Sequence, residues 1–515
     1  MVEVRKNLMS NTSYLLIGWI GSIILNFLFQ MIAAKTLLPD ELGVLSTAIS
    51  FAAILSSVLV FGMEQTTQKL ASFYLGKNKI EYISSVLWFF FLLTIFLNVI
   101  VISGLLLFST DVSQAIKIPR NILFISIFAL LPLSVSFFLA GILRGYQNMR
   151  YLTTTAIFGD LLKVIVAGSL VVIGYKVYGF MIGYLIGVVS ILLLRISNIR
   201  RFISKFKIPS TNIITKYAVP SFITQIFWLI LLSGQYIIIT ILQNPYATGL
   251  FTVAMILSNQ IYFVPRIISD ALFPITSRLS ANRMFFKQQC YLLNIALRYS
   301  FLFSLPILFF VSIFPIPLIF LIGQPLFFPA AELVPILVTA SLFFGVATLL
   351  SRTLYAIGKT MTFQTISIVF TIFYIITSVI LTISYSALGT AIAYLITTLL
   401  MTVVSLYYLK KYISFRIEYI PLVKIFMGSF ITFSLLYLIS FRTPSLIAGA
   451  VLTMLFTILY FLMLYFMKFY NDNDLKILDF ISERVPFAAK YVVRLKNLLS
   501  EKIKRQSENN DQRNQ

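Results

Sequence analysis

Stretches of about 20 mostly apolar residues recur along this chain, each long enough to cross the roughly 30 Å hydrocarbon core of a bilayer as a helix. Fourteen can be placed: 12–34, 41–63, 83–109, 121–143, 151–174, 177–194, 217–242, 249–275, 291–313, 330–351, 362–384, 386–409, 420–440 and 444–467. A backbone inside lipid must satisfy its own hydrogen bonds, which leaves helices or closed barrels, and continuous apolar runs of this length are helical. With 59% hydrophobic and 11% charged residues over 515 positions, the chain holds more apolar side chain than a water-soluble fold could bury. The first stretch follows Arg5 and Lys6 in the manner of a secretion signal, but its apolar run is too long for one and reads as the first span. The expected fold class is all-α integral membrane, with about fourteen transmembrane helices.

A net charge of +23 raises the question of nucleic acid. The distribution of the charge answers it. With the N-terminus in the cytoplasm and each helix reversing direction, most of the 40 Lys and Arg fall in cytoplasmic segments. The outer loops hold only Lys35, Lys117, Arg120, Lys176 and Arg442. This is the positive-inside bias of a membrane protein, so both termini are expected in the cytoplasm and no nucleic-acid partner is expected. Cys290 is the lone cysteine and cannot form an internal disulfide, and the absence of histidine excludes His-based catalysis and His metal sites. No Gly-rich phosphate loop of the P-loop kind is present. No catalytic residue, metal or cofactor is expected.

The chain repeats itself. "PDELGVLSTA" (39–48) returns as "PYATGLFTVA" (245–254), with Pro, Gly and Ala at a constant offset, and "GFMIGYLI" (179–186) returns as "GTAIAYLI" (389–396). An even number of spans in each unit gives the two units the same orientation, related by a pseudo-two-fold axis along the membrane normal with a cavity between them. The expected organisation is a six-helix lobe over 1–194, a basic cytoplasmic linker over 195–216, and a second six-helix lobe over 217–409. Helices thirteen and fourteen follow over 410–468, and a cytoplasmic tail covers 469–515. The linker "RISNIRRFISKFKIP" has anionic headgroups as its natural neighbour. Residues 487–505 carry a helical apolar stripe among basic residues, which reads as an amphipathic helix on the inner leaflet, with a partner-protein helix as the competing use.

"AAKTLLPDELGVLSTA" followed by "FGMEQTTQKLASFYLGKN" resembles the opening two helices of prokaryotic polysaccharide-unit flippases, a family of the multidrug, oligosaccharidyl-lipid and polysaccharide exporter superfamily. "LRGYQNMRY" (143–151), "TGLFTVA" (248–254), "FPITSRLS" (273–280) and "IFLIGQPLFFPAAELVPIL" (319–337) extend the likeness in family order over about three quarters of the chain. The resemblance implies a V-shaped pair of lobes that alternates between inward- and outward-open states, with helices one, two, seven and eight lining the cavity. It implies a lipid-linked oligosaccharide as substrate, membrane lipids as surroundings and polysaccharide assembly enzymes as candidate partners. Drug exporters share the architecture, so the likeness leaves the substrate open.

Charges inside the spans stand out because each costs a few kcal/mol near mid-bilayer. In the fifth span Asp160 and Lys163 are three apart and share a helix face. Two readings stand: a mutually neutralised pair that fixes packing, or a pair facing a water-filled cavity where Lys163 meets substrate phosphate and Asp160 holds it charged. The family often has an acid followed by a base at this point, which the resemblance adds to the second reading. Arg266 and Asp270 form an i,i+4 pair on the eighth span, with Pro265 disturbing the backbone beside them. Phosphate binding and snorkelling to the inner headgroups compete for Arg266. Arg298 reads as a snorkelling residue, and Lys35 ends the first span where the family's exporters also place a base. Asn26 and Gln30 share a face of the first span, and Gln225, Gln235, Asn259 and Gln260 lie on the seventh and eighth. Amides suit sugar hydroxyls, and they serve equally as interhelical hydrogen-bond glue.

The leading functional expectation is a non-enzymatic flippase for a polyprenyl-(pyro)phosphate-linked oligosaccharide. A cation-coupled multidrug exporter and a peptidoglycan-precursor flippase of the same superfamily are the alternatives. A membrane polymerase or ligase fits poorly, because the outer loops are short and carry no catalytic constellation.

Overall fold

The computed structural model describes residues 2–76, 80–199, 218–280, 286–440, 446–470 and 474; nearly all of the basic linker and the amphipathic stretch 487–505 lie outside them. Among the described residues the chain is all helical. Helices α1 (Val2–Thr36), α2 (Pro39–Val60) and α3 (Met63–Gly76) are followed by α4 (Ile80–Leu107), the short α5 (Ser109–Ala115), α6 (Arg120–Gly145), α7 (Met149–Val172) and α8 (Lys176–Ile199). Then come α9 (Val219–Leu242), α10 (Pro245–Leu279), α11 (Phe286–Ile313), the short α12 (Pro315–Ile322) and a 3-10 segment (Pro325–Glu332). The chain continues through α13 (Val334–Ala356), α14 (Thr360–Ile413), α15 (Tyr419–Ser440) and α16 (Leu446–Phe466).

Among the described residues eleven helices are long and apolar enough to cross a membrane, and the segments Ile20–Thr36 and Val451–Phe466 are shorter apolar helices. At 1.5 Å per residue α14 would run about 80 Å, far beyond one bilayer core. Its backbone leaves helical geometry at Ser386 (φ 53°, ψ −139°), so it comprises two spans joined there. Counted as two, with the shorter segments added, the helices match the fourteen expected spans. Two differences matter. The second span ends at Val60, close to the expected 63, where the backbone turns through left-handed conformations at Phe61 and Gly62 into α3, a helix too polar to read as a span. A side chain at Gly62 would overlap the carbonyl oxygen of Ala218, so this turn lets α9 approach closely. And α10 begins at Pro245, earlier than the expected 249, which puts Arg266 about 32 Å from the helix start.

The two six-helix units meet along α2 and α10. A Cβ on Gly43 would overlap the Pro245 carbonyl oxygen, and a Cβ on Gly249 would overlap that of Pro39. These four residues are two pairs related by the repeat, each glycine sitting on the proline of the other unit. Ser46 and Thr252, themselves repeat equivalents, are hydrogen-bonded at 3.0 Å. Equivalent residues can touch one another only near a symmetry axis, so the pseudo-two-fold passes between α2 and α10 here. Around it the buried hydroxyls of Thr47, Thr240 and Thr248 form a chain with links of 2.6 and 2.7 Å. At the same end of the bundle Lys117 Nζ donates to the Gln243 carbonyl at 2.6 Å, and Gln324 Nε2 donates to that of Lys35 at 2.7 Å.

Helices α15 and α16 pack beside α11, with Phe309 stacked on Phe433 at 5.2 Å and Phe301 against Phe426 at 5.2 Å. Arg298 corrects the sequence reading here. It is buried instead of snorkelling: Nη2 donates to Asp474 at 2.6 Å and to the Phe469 carbonyl at 3.0 Å, with the guanidinium 4.0 Å above the Phe469 ring. Asp474 also accepts from the Tyr299 hydroxyl. The arginine therefore ties the segment that follows α16 back onto α11.

Candidate substrate-binding cavity

Helix α1 is exposed on two opposite sides. Ile24 is 53% exposed, and Asn26, two residues and about 200° further round the helix, is exposed as well. One side suits lipid; the other carries Asn26 and Gln30 and suits water.

Lys163 meets α1 on that polar side. Its Nζ donates to Asp160 Oδ1 at 2.7 Å and to Asn26 Oδ1 at 2.7 Å, and lies 5.2 Å from the centre of the Phe29 ring. Asn26 is anchored in turn by its Nδ2, which donates to the Ser22 carbonyl at 2.7 Å. Lys163 itself is only 6% exposed. A buried ammonium is tolerable because an acid and an amide oxygen replace its hydration and the ring face adds a favourable quadrupole. The lysine reaches this position because α7 lies close against α8. Gly159, Gly183 and Gly187 remove the side chains that would separate them, and a Cβ at Gly187 would stand 2.8 Å from Lys163 Cβ. On the α1 side, Gly18 faces Thr153 and Gly21 faces Ile157.

The second charged group is larger than the sequence indicated. Arg266 Nε donates to Asp270 Oδ2 at 3.3 Å, and its Nη1 donates to the Tyr262 hydroxyl. Asp270 Oδ1 also accepts from Arg352 Nη1 of α13. One carboxylate thus serves two guanidiniums, leaving the group with a net charge of +1. The Arg266, Asp270 and Arg352 side chains keep 26%, 18% and 28% of their surface exposed. Arg352 escapes sequence reasoning because it lies one residue past the apolar run 330–351, where a base belongs to the loop by composition. Tyr262 leads away from this group into an aromatic stack, 5.1 Å from Phe344, which stacks in turn on Trp228 at 5.3 Å.

The remaining expected site residues are not gathered into either group. Gln235 is buried, its Nε2 donates to the Leu232 carbonyl at 3.2 Å, and its Oε1 has no partner among the described residues. Asn259 is half-buried on α10, and Gln260 caps the Ile256 carbonyl of its own helix at 3.1 Å. Lys35 is exposed in the last turn of α1, away from Lys163.

A family model described as "Polysaccharide biosynthesis protein" matches residues 8–280, more than half of the chain. The chain belongs to that family. Its fold is also that of several solved transporters. The structure titled "Lipid II flippase MurJ, inward closed conformation" superposes with a TM-score of 0.73 at 18% identity, covering 88% of this chain and 98% of the other. An inward-facing multidrug resistance MATE family transporter of the MOP superfamily gives 0.60 at 15% identity, covering 76% and 94%. A mutant of the Vibrio cholerae MATE transporter VcmN gives 0.57 at 14%, covering 80% and 97%. No curated protein matches the sequence. The chain is thus a multi-pass membrane protein with the fold of these transporters.

Proposed function

We propose that this polysaccharide biosynthesis protein is a flippase. It carries an oligosaccharide linked to a polyprenyl phosphate or pyrophosphate from the cytoplasmic to the outer leaflet by alternating access. The single observation behind this reading is the buried lysine inside an apolar span: Lys163 is held between Asp160 and Asn26 of α1. An ammonium has three protons. Two are taken by these partners, and the third is available to a phosphate oxygen arriving along the polar side of α1. The anionic headgroup must cross a low-dielectric region, and a charge-assisted hydrogen bond replaces part of its lost hydration. Asn26 and Gln30 offer both donors and acceptors to sugar hydroxyls beside it.

The Arg266–Asp270–Arg352 group supports an anion over a cationic drug, since its net charge is positive. A multidrug exporter needs the opposite balance. Of the anionic candidates, the family description favours a polysaccharide unit, whereas a peptidoglycan precursor is what the MurJ title names for that protein. In this reading Lys163 and Arg266 engage phosphate, and Asp160 and Asp270 position them. Asn26, Gln30, Asn259 and Lys35 line the route, whereas Gln235, expected beside them, is buried away from it. The lobes, expected over 1–194 and 217–409, are joined by a cytoplasmic linker expected over 195–216, although α8 carries the first lobe on to Ile199; 410–468 is an added helix pair and 469–515 a cytoplasmic tail. The transporter performs no bond chemistry and works beside polysaccharide assembly enzymes in the cell membrane.

Mass spectrometry of lipids that copurify with the protein tests the substrate. A polyprenyl-linked glycan is the expected species. Enrichment of peptide-bearing lipid precursor, or of phospholipid alone, contradicts the polysaccharide assignment.

A further inference from the structure

The group around Asp270 has a counterpart in the first lobe that the transport reading does not use. Glu64 lies on α3 at the repeat equivalent of Asp270, with the same offset that relates Ser46 to Thr252. Its carboxylate accepts from Arg144 Nη1 on α6, the helix that corresponds to α13, the source of Arg352. A second arginine stands near each acid. In the second lobe it is Arg266; in the first it is Arg195 of α8, which reaches across to α6, the helix that carries Arg144. Arg195 is held by the Ser136 carbonyl at 2.7 Å and by Thr155 Oγ1 at 3.4 Å. Glu64 and Arg195 are each only 7% exposed, whereas the Arg144 side chain keeps 39% of its surface.

Each lobe therefore carries two guanidiniums for one carboxylate; the acids are repeat equivalents, whereas the second arginine comes from α10 in one lobe and from α8 in the other. A packing device needs only one base per acid, and a surplus positive charge in a low-dielectric setting is costly unless an anion answers it. The first lobe also leaves hydroxyls waiting. Thr67 Oγ1, one turn on from Glu64, and Ser136 Oγ, on the residue whose carbonyl holds Arg195, are buried without partners among the described residues. Guanidiniums with spare N–H groups beside unpaired hydroxyls match the many acceptor oxygens of a phosphate.

We propose that Arg144, Arg195 and Glu64 form a phosphate-headgroup site in the first lobe, the partner of the Arg266–Arg352–Asp270 site in the second. A headgroup entering between the lobes then finds a cationic receiver on either side. The identity of the natural ligand rests on the flippase reading; the existence of an anion site does not.

The experiment counts farnesyl pyrophosphate bound to the purified full-length protein in detergent, by titration calorimetry checked against native mass spectrometry. Arg144→Gln should remove one bound equivalent and Arg352→Gln another, with the double variant losing both; Arg144→Lys should retain a weakened equivalent. Glu64→Gln releases both arginines from their acid and should tighten the first-lobe equivalent about tenfold, which a merely structural ion pair would not do. Circular dichroism and gel filtration of each variant separate lost binding from lost fold. Phosphatidylglycerol at matched concentration separates the sources: displacement of the Arg144-dependent equivalent assigns the site to bilayer phospholipid, and persistence assigns it to the polyprenyl carrier. Unchanged stoichiometry and affinity in a folded Arg144→Gln protein, with no tightening in Glu64→Gln, overturns the proposal. Should the copurified lipids lack a glycan while Arg144→Gln still loses an equivalent, the flippase substrate fails and this site stands.

Discussion

At Asp270 one carboxylate divides itself between Arg266 and Arg352, and this changes what its removal should do. Asp270→Asn lets both guanidiniums turn toward a ligand. Binding of a polyprenyl pyrophosphate analogue, read as the ligand-induced rise in melting temperature, should be preserved or strengthened, by up to about tenfold in affinity. A cation exporter predicts the reverse, a loss of affinity with the loss of its acid. Arg266→Lys should weaken the effect, because lysine cannot reproduce the planar paired geometry of arginine; free exchange of the two would contradict phosphate recognition. At this scale the sequence showed half of each site. Asp160–Lys163 and Arg266–Asp270 were legible because spacings of three and four place side chains on one helix face. The contacts of Asn26 and Arg352 were not, since they come from other helices and only packing decides which helices adjoin.

Among elements, α7 and α8 carry the positioning of Lys163. "GFMIGYLIG" places glycines at 179, 183 and 187, and the repeat of this stretch was visible while its packing meaning was not. The spacing alone does not say which neighbour approaches; the structure puts Gly187 against Lys163 Cβ and the Gly159 carbonyl, both 2.8 Å from a Cβ at that position. Gly187→Ala should therefore displace Lys163, lowering transport several-fold together with the melting temperature. Gly168→Ala, with open space around it, is the control and should change neither; equal behaviour of the two variants would remove α7–α8 packing from the account. The helix pair α15–α16 depends on a different anchor. Arg298 reaches Asp474 across 176 positions, a pairing that no local pattern announces. Because the arginine is buried and makes two distinct hydrogen bonds, Arg298→Lys should destabilise the protein with or without substrate, by roughly 1–3 kcal/mol. A melting temperature unchanged by that exchange would restore the snorkelling reading.

Across the whole molecule, the number of spans and the duplication were legible because hydropathy and proline–glycine spacing are properties of the chain alone. The axis was not. It appears where Ser46 meets its equivalent Thr252 and where Gly43 meets Pro245 and Gly249 meets Pro39, at a distance that excludes any side chain on either glycine. This contact closes one end of the bundle, together with the bonds from Lys117 to Gln243 and from Gln324 to Lys35. Gly43→Ala should hold that end apart and bias the protein toward the state open there. Spin-label distances between the two lobes should lengthen by several ångströms, whereas an unchanged distribution would show that the contact does not limit closure.

The account rests most heavily on Lys163 as the group that carries an anionic headgroup past the middle of the membrane. The direct test is transport of a fluorescent short-chain polyprenyl pyrophosphate oligosaccharide in proteoliposomes, read by the fraction that becomes accessible on the far leaflet. Lys163→Ala leaves Asp160 able to take up a proton, so the protein should still fold and insert. Its transport rate should nonetheless fall at least about tenfold, the loss of a single charge-assisted bond of about 1.4 kcal/mol or more, with Lys163→Arg retaining part of the rate. A correctly inserted Lys163→Ala protein that moves the substrate at the unaltered rate would contradict the central claim.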